Sequence, residues 1–373
     1  MNFLSQVPMD FFKEKKVILR VDFNIPIRDG KVLDTDAYRI SAVEQTVQWL
    51  QGAGAKIILM SHIGRSGDTL EPVADYIQEK FPSWQLQFCD AVVGQKVTHA
   101  IEQMNFGSCL LLENIRTDAR EEQGDDEFAQ QLAGYADMYV NDAFGACHRS
   151  HASVTGIPKY IPGYAGFLIE SELHQLQHAF NPVKPALLIM AGIKFETKLP
   201  LIEKLIPDYD FVLLGGGLLN TYLVQSGYSI GKSVFDSTAS LQSILGNKKI
   251  IIPEQLIIER DGESKQVVLS EIESDDVIVD VVISKKIQEI IEKSETIIWN
   301  GPLGWYEKGY KQSVHDIVEL LYDEQMIIAG GGDIVSLLRQ EKLDHVITFL
   351  STGGGAMLEY LEQGTLPGLE VLQ

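Results

Sequence analysis

MIIAGGGDIVSLL, residues 326–338, is the stretch on which the fold class turns. A short apolar run ends in three glycines and an aspartate, and the residues that follow have the period of an amphipathic helix. Glycine allows a tight turn and a close approach of the backbone to a ligand, and a helix N-terminus offers unpaired amide N–H groups. The stretch reads as strand, turn and helix, either a bare connection or a cradle for a phosphate. Ile334 is the odd residue in it, because a hydroxyl at that place would suit a phosphate better.

The same pattern recurs along the chain. In the first half the apolar runs are VILRVDF (17–23), AKIILM (55–60), SCLLLE (108–113) and ADMYV (136–140). In the second they are PALLIM (185–190), DFVLL (210–214), KKIIIP (248–253), TIIW (296–299), MIIA (326–329) and HVITFL (345–350). Runs this short and this apolar suit strands buried on both faces, as in parallel sheets. Helical segments separate them, among them DDEFAQQLAGYA, for which Asp125 is the expected N-cap. This is βαβ alternation in two blocks, an α/β fold. A chain of 373 residues also suits two domains better than one. The break falls near 165–185, where a helical AGFLIESELHQLQHAF runs into NPVKP. Proline disfavours helix in the residue before it, so the helix is expected to stop near Asn181.

Composition excludes several function classes. Lys and Arg total 31 against 52 Asp and Glu, a formal net charge of −21. That balance argues against a broad nucleic-acid or acidic-lipid surface, while leaving room for a local basic pocket. Cys89, Cys109 and Cys147 show no metal-binding spacing and read as reduced thiols of a cytoplasmic protein. No secretory leader or membrane span is expected, since the first residues lack an apolar core and no apolar run approaches 18 residues.

Ligands of open α/β sheets collect at the carboxyl ends of the strands. In the first block those ends carry Arg20, Asp22 and Asn24, then His62 and Arg65, then Arg116, then His148, Arg149 and His151. One such residue is an ordinary surface group, whereas four consecutive strand ends of one character describe a pocket for a small, multiply charged anion. The second block carries glycine instead, at Gly215–Gly217, Gly301, Gly304, Gly330–Gly332 and Gly353–Gly355. A single triplet is an ordinary tight turn, but three at strand ends of one block favour a nucleotide site. GYSIGKS (227–233) is not a P-loop, because three residues separate its glycines where four are required, and no complete GxGxxG follows a strand. Lys194 and Lys198, four apart after PALLIM, would share one face of a helix starting there. One block for an anion and another for phosphates describe a two-domain phosphotransferase using Mg²⁺.

Longer stretches carry a resemblance. RVDFNIP, SHIGR, LLLENIR, YVNDAFGACHRSHAS, AGFLIESEL, KFETK, LLGGGLLNTYL, GYSIGKS, WNGPLG, GGGD and STGGGAMLEYLEQGTLPG closely resemble, in order, the motifs of the phosphoglycerate kinase family. The resemblance implies two Rossmann-like domains of mostly parallel sheets flanked by helices. The expected division is a phosphoglycerate-binding domain over 1–165, a connecting helix and hinge over 166–182, a nucleotide-binding domain over 183–355, and a tail over 356–373 returning to the first domain. It implies reversible transfer between 1,3-bisphosphoglycerate with ADP and 3-phosphoglycerate with ATP, in a closed interdomain cleft, by a cytoplasmic monomer without nucleic-acid or membrane partners. By matched position, Asp22, Asn24, Arg39, His62, Arg65, Arg116 and Arg149 would hold the phosphoglycerate. Lys198, Gly215, Gly216, Asn300, Glu307, Gly330, Gly331, Gly332, Asp333 and Ile334 would hold the nucleotide, with Asp333 at Mg²⁺. Arg39, Lys194, Gly353 and Gly354 would act on the transferring group.

Departures from the family pattern gather in the nucleotide half. AGIK has Ala191 where the family commonly has glycine, WYEKGYKQSVHDIV is shorter than the usual segment, and VVISKKIQEI lacks a Gly-Pro pair before its helix. Ile334 stands where the family normally has Ser or Thr. These motivate an alternative, a phosphoglycerate-binding relative with weak or absent kinase activity. They also lead to the expectation that Ile334→Thr would tighten nucleotide binding by restoring one hydrogen bond.

Overall fold

A computed structural model describes residues 1–373 apart from Ser66, Lys194, Glu196, Thr197 and Gln373. The chain forms two compact units, Met1–Leu173 with the residues from Thr365 onward, and His174–Gly364.

The first unit contains β1 (Lys16–Arg20), a small hairpin of β2 (Ile27–Arg28) and β3 (Lys31–Val32), then α1 (Tyr38–Ser41) and α2 (Glu44–Gly52). There follow β4 (Lys56–Met60), α3 (Glu71–Lys80), β5 (Leu86–Cys89), α4 (Gln95–Gln103), β6 (Cys109–Leu112), α5 (Asp126–Ala133), β7 (Met138–Asn141), β8 (Gly163–Ala165) and α6 (Phe167–Phe180). Six strands pair in the order β5-β6-β4-β1-β7-β8, every pair parallel. Val17, Ile18 and Leu19 of β1 and all of β6 are buried, which is why these segments are apolar without alternation. The Asp125 carboxylate accepts the Phe128 N–H at 2.8 Å and starts α5 as expected. β4, β6 and β5 lie on one side of β1 and β7 and β8 on the other, so the topology switches at β1 and opens a crevice at its carboxyl end. Arg20 occupies that end, flanked in register by Met60 and Asn141.

The second unit begins within α6 and continues through β9 (Ala186–Ala191), α7 (Leu199–Leu205), β10 (Phe211–Gly215), α8 (Gly216–Gln225) and β11 (Ile250–Ile251). It then adds β12 (Gln255–Arg260), β13 (Glu263–Val268), β14 (Val277–Val281), α9 (Lys285–Lys293), β15 (Thr296–Asn300) and α10 (Gln312–Glu319). It closes with β16 (Met326–Gly330), α11 (Gly332–Gln340), β17 (Phe349–Ser351) and α12 (Gly354–Gln363). The main sheet has the order β11-β10-β9-β15-β16-β17, all parallel, the doubly wound Rossmann arrangement with its switch between β9 and β15.

Three details differ from the sequence reading. A second, antiparallel sheet of order β13-β12-β14 was not anticipated, because β13 (ESKQVV) is polar and mostly exposed and carries no apolar signal. The helix after β9 starts only at Leu199, so Lys198 precedes it and does not ride on its face. Where the reading placed 356–373 with the first unit, α12 packs in the second. Lys204 Nζ donates to the Glu362 carbonyl at 2.6 Å, and the Phe180 and Tyr360 rings meet edge to face at 5.8 Å. The return begins at Thr365 and brings α13 (Pro367–Glu370) to the first unit. There Gly368 N–H donates to the Cys147 carbonyl at 2.8 Å, and Asn2 N–H to the Leu372 carbonyl at 3.0 Å. Among the described residues no helix is long and apolar enough to cross a membrane.

Leu372 is fully buried. Leu372→Ala is expected to destabilise the first unit by about 2–5 kcal/mol, read as a lowered urea midpoint for that unit's unfolding.

Candidate functional site

At the carboxyl end of the first sheet the structure gathers residues from four separate strand ends around one carboxylate. Asp22 is buried, 7% exposed, and its Oδ2 accepts Arg39 Nη1 at 2.8 Å. Arg39 comes from the short α1, which is why its strand-end neighbours did not reveal it; Nη1 also reaches the Asn24 carbonyl at 3.2 Å. His62 Nδ1 lies 3.8 Å from Asp22 Oδ1, and His62 Nε2 lies 3.3 Å from Arg149 Nη1. Gly64 joins two more members: its N–H donates to Asn24 Oδ1 at 2.9 Å, and its carbonyl accepts Arg116 Nη1 at 2.7 Å. Arg65 lies on the same loop with its side chain exposed and its N–H on Asp68 Oδ2 at 2.8 Å.

Arg20, Glu121 and Ser153 form the support beneath. Arg20 is 1% exposed and its Nε donates to Ser153 Oγ at 2.9 Å, while that hydroxyl donates to Glu121 Oε1 at 2.6 Å. Burial disfavours the charged form of Asp22, but Arg39, His62 and Arg20 outweigh it and hold the carboxyl below its usual range. Burial pushes His62 well below the usual imidazole range, with Arg20, Arg116 and Arg149 adding to it against Asp22. The imidazole is therefore neutral at physiological pH and accepts at one nitrogen only. Both ring nitrogens face guanidinium donors, Nδ1 that of Arg20 at 3.3 Å and Nε2 that of Arg149 at 3.3 Å, and the neutral ring accepts from one of them. The cluster remains strongly cationic, a character suited to a small, multiply charged anion.

In the second unit the ladder aligns the strand ends. Gly215 pairs with Ala191, Asn300 with Met190 and Gly330, and Gly330 with Ser351, so the glycine turns all leave one edge of one sheet. Asn300 is buried and its Nδ2 donates to the Gly330 carbonyl at 2.6 Å, tying β15 to β16. The Gly331–Gly332 and Gly353–Gly354 turns touch: a Cβ on Gly354 would lie 2.6 Å from Gly331 Cα, so only glycine permits the approach. α8, α11 and α12 start at Gly216, Gly332 and Gly354 and direct their first-turn amides to this edge. Ala191 fits because its partner is glycine; a Cβ on Gly215 would come 2.9 Å from its methyl. Lys198 Nζ donates to the Ala191 carbonyl at the end of β9. Asp333 and Glu307 are exposed, Asp333 in the first turn of α11 and Glu307 in a 3₁₀ turn over Tyr306–Lys308. Lys194 lies outside the described residues. Tyr306, which the sequence reading passed over, places its hydroxyl 3.3 Å from Asp333 Oδ1.

Ile334 corrects an expectation. Its side chain is fully buried in the unit, so a hydroxyl there would enter the core, and only its backbone amide belongs to the helix terminus.

A guanidinium cluster at the strand ends of one unit and convergent helix N-termini at those of the other are the features expected of a phosphotransferase. The protein-family model described as Phosphoglycerate kinase matches residues 8–364. The phosphoglycerate kinase of Wolbachia pipientis subsp. Culex pipiens (strain wPip) is 37% identical over 383 residues, covering 96% of each chain. That of Dictyoglomus turgidum is 37% identical over 388 residues, 97% of this chain and 96% of its own. Among solved structures, the phosphoglycerate kinase of Pyrococcus horikoshii OT3 superposes with a TM-score of 0.87 at 29% identity, over 100% of this chain and 98% of that one. The Coxiella burnetii phosphoglycerate kinase gives 0.82 at 29% identity, over 99% and 98%. The chain belongs to the phosphoglycerate kinase family.

Ile334→Thr is accordingly expected to cost about 1–3 kcal/mol of stability and to leave nucleotide affinity no tighter. Thermal melting and ADP titration of the purified variant check both halves.

Proposed function

We propose that this chain transfers a phosphoryl group directly between the acyl phosphate of 1,3-bisphosphoglycerate and the β-phosphate of ADP, and in reverse from ATP to 3-phosphoglycerate. The family match over nearly the whole chain carries this reading, and nothing favours the binding-only alternative. In the forward direction a β-phosphate oxygen of ADP attacks phosphorus, the bond from phosphorus to the carboxyl oxygen breaks, and 3-phosphoglycerate leaves as a carboxylate. No covalent enzyme intermediate is needed, so the protein's work is positioning and neutralisation of charge.

We assign the first unit to the phosphoglycerate. His62, Arg65, Arg116 and Arg149 would hold its phosphate, with Asp22 and Asn24 ordering the pocket and the hydroxy acid. Arg39, pinned by Asp22, would turn toward the transferring group. The second unit would take the nucleotide, with Gly215, Gly216 and Gly330–Gly332 approached by phosphates, Lys198 adding charge, and Asn300 and Glu307 bounding the site. Lys194 and the amides at Gly353 and Gly354 would neutralise the transferring oxygens.

Asp333 suits Mg²⁺: it is an exposed carboxylate, a hard oxygen donor, beside amides that take phosphate oxygens. The ion, when bound with nucleotide, supplies neutralisation of phosphate charge. Cytoplasmic location and a monomeric state are proposed on the strength of the family alone.

The testing experiment is a coupled assay with 3-phosphoglycerate, Mg²⁺ and either ATP or GTP; no turnover with either nucleotide would overturn the reading. Arg39→Ala is expected to lower kcat by at least about 10²-fold with the fold retained, and a near-normal kcat would remove Arg39 from the transfer step.

A further inference from the structure

We propose that Tyr306 is a positioning residue for Asp333, supplying a hydroxyl to it from the neighbouring strand end. The proposal rests on the reading of Asp333 as the carboxylate that meets the metal–nucleotide complex. Two observations carry it. The Tyr306 hydroxyl lies 3.3 Å from Asp333 Oδ1, across 27 residues of sequence, in an otherwise exposed setting. And the segment carrying Tyr306 is anchored, where a flexible loop would hold nothing in place.

That anchoring is specific. Trp305 N–H donates to the Val279 carbonyl at 2.8 Å, which fastens the segment to β14 of the small antiparallel sheet. The turn closes at Gly309, whose φ of +90° glycine adopts without strain, and Tyr310 N–H returns to the Trp305 carbonyl at 3.2 Å. Lys308 Nζ sits 4.1 Å over the Trp305 ring and covers the turn. The shortened segment therefore delivers the phenol from a fixed base.

Asp333 stands in the first turn of α11 with an exposed side chain, and a carboxylate there samples several rotamers. A phenol O–H donated to Oδ1 selects one of them. The ordering is in place before ligand arrives, which reduces the entropy lost on binding.

Calorimetric titration of ADP, with and without Mg²⁺, tests this on wild type, Tyr306→Phe, Asp333→Asn and the double variant. Tyr306→Phe keeps the ring and is expected to weaken Mg·ADP binding about five- to tenfold while leaving metal-free ADP and 3-phosphoglycerate affinity unchanged. In the Asp333→Asn background the same change is expected to add nothing. Unchanged Mg·ADP affinity in Tyr306→Phe, or equal weakening with and without Mg²⁺, overturns the role of Tyr306. Should Asp333→Asn leave the Mg²⁺ dependence intact, the assignment of Asp333 itself fails, whatever Tyr306 does.

Discussion

Strands buried on both faces can carry polar chemistry only where they end. β9 is buried along its whole length, and an unpaired polar group placed within it would cost several kcal/mol. The parallel arrangement then sends every strand out of the sheet at the same edge. In the second unit this edge is a row of Ala191, Gly215, Asn300, Gly330 and Ser351, and the strands ending at Gly215, Gly330 and Ser351 turn directly into α8, α11 and α12. Helix N-termini therefore converge by topology, and their first-turn amides present donors of the kind that suit phosphate oxygens.

The first unit carries the opposite chemistry at the same edge of its sheet. Its strand ends bear guanidinium groups, which repel one another unless something fixes them. Asp22 is that counter-charge: Arg39 pairs with it directly and His62 faces it, while Arg149 is held off the other imidazole nitrogen. Keeping His62 neutral limits the repulsion, since a fifth cation beside Arg20, Arg39, Arg116 and Arg149 would have to share the Asp22 carboxylate that already pairs with Arg39. The overall charge of −21 is no obstacle, because at physiological ionic strength exposed charges beyond about 8 Å are largely screened.

Legibility followed the strength of local signals. The apolar runs and glycine turns marked the sheets, and Asp125 marked the start of α5, because burial and capping act within a few residues. The antiparallel β12–β14 sheet escaped notice since β13 is polar and exposed. Arg39 lies outside every strand end, so only the family motif pointed to it. Lys198 was placed on a helix that begins one residue later, a boundary set by Pro200 and the tertiary fit of α7 rather than by periodicity.

The sequence by itself determined the α/β class, the division into a guanidinium-rich and a glycine-rich half, and membership of the family, because these depend on residue type and order. The tertiary structure alone decided which atoms meet. Ile334 looked from the sequence like a missing phosphate ligand, yet its side chain belongs to the core, and the hydroxyl near Asp333 comes from Tyr306. Contacts between residues 27 positions apart are fixed by strand register and by where a turn is anchored, and neither is written in local sequence.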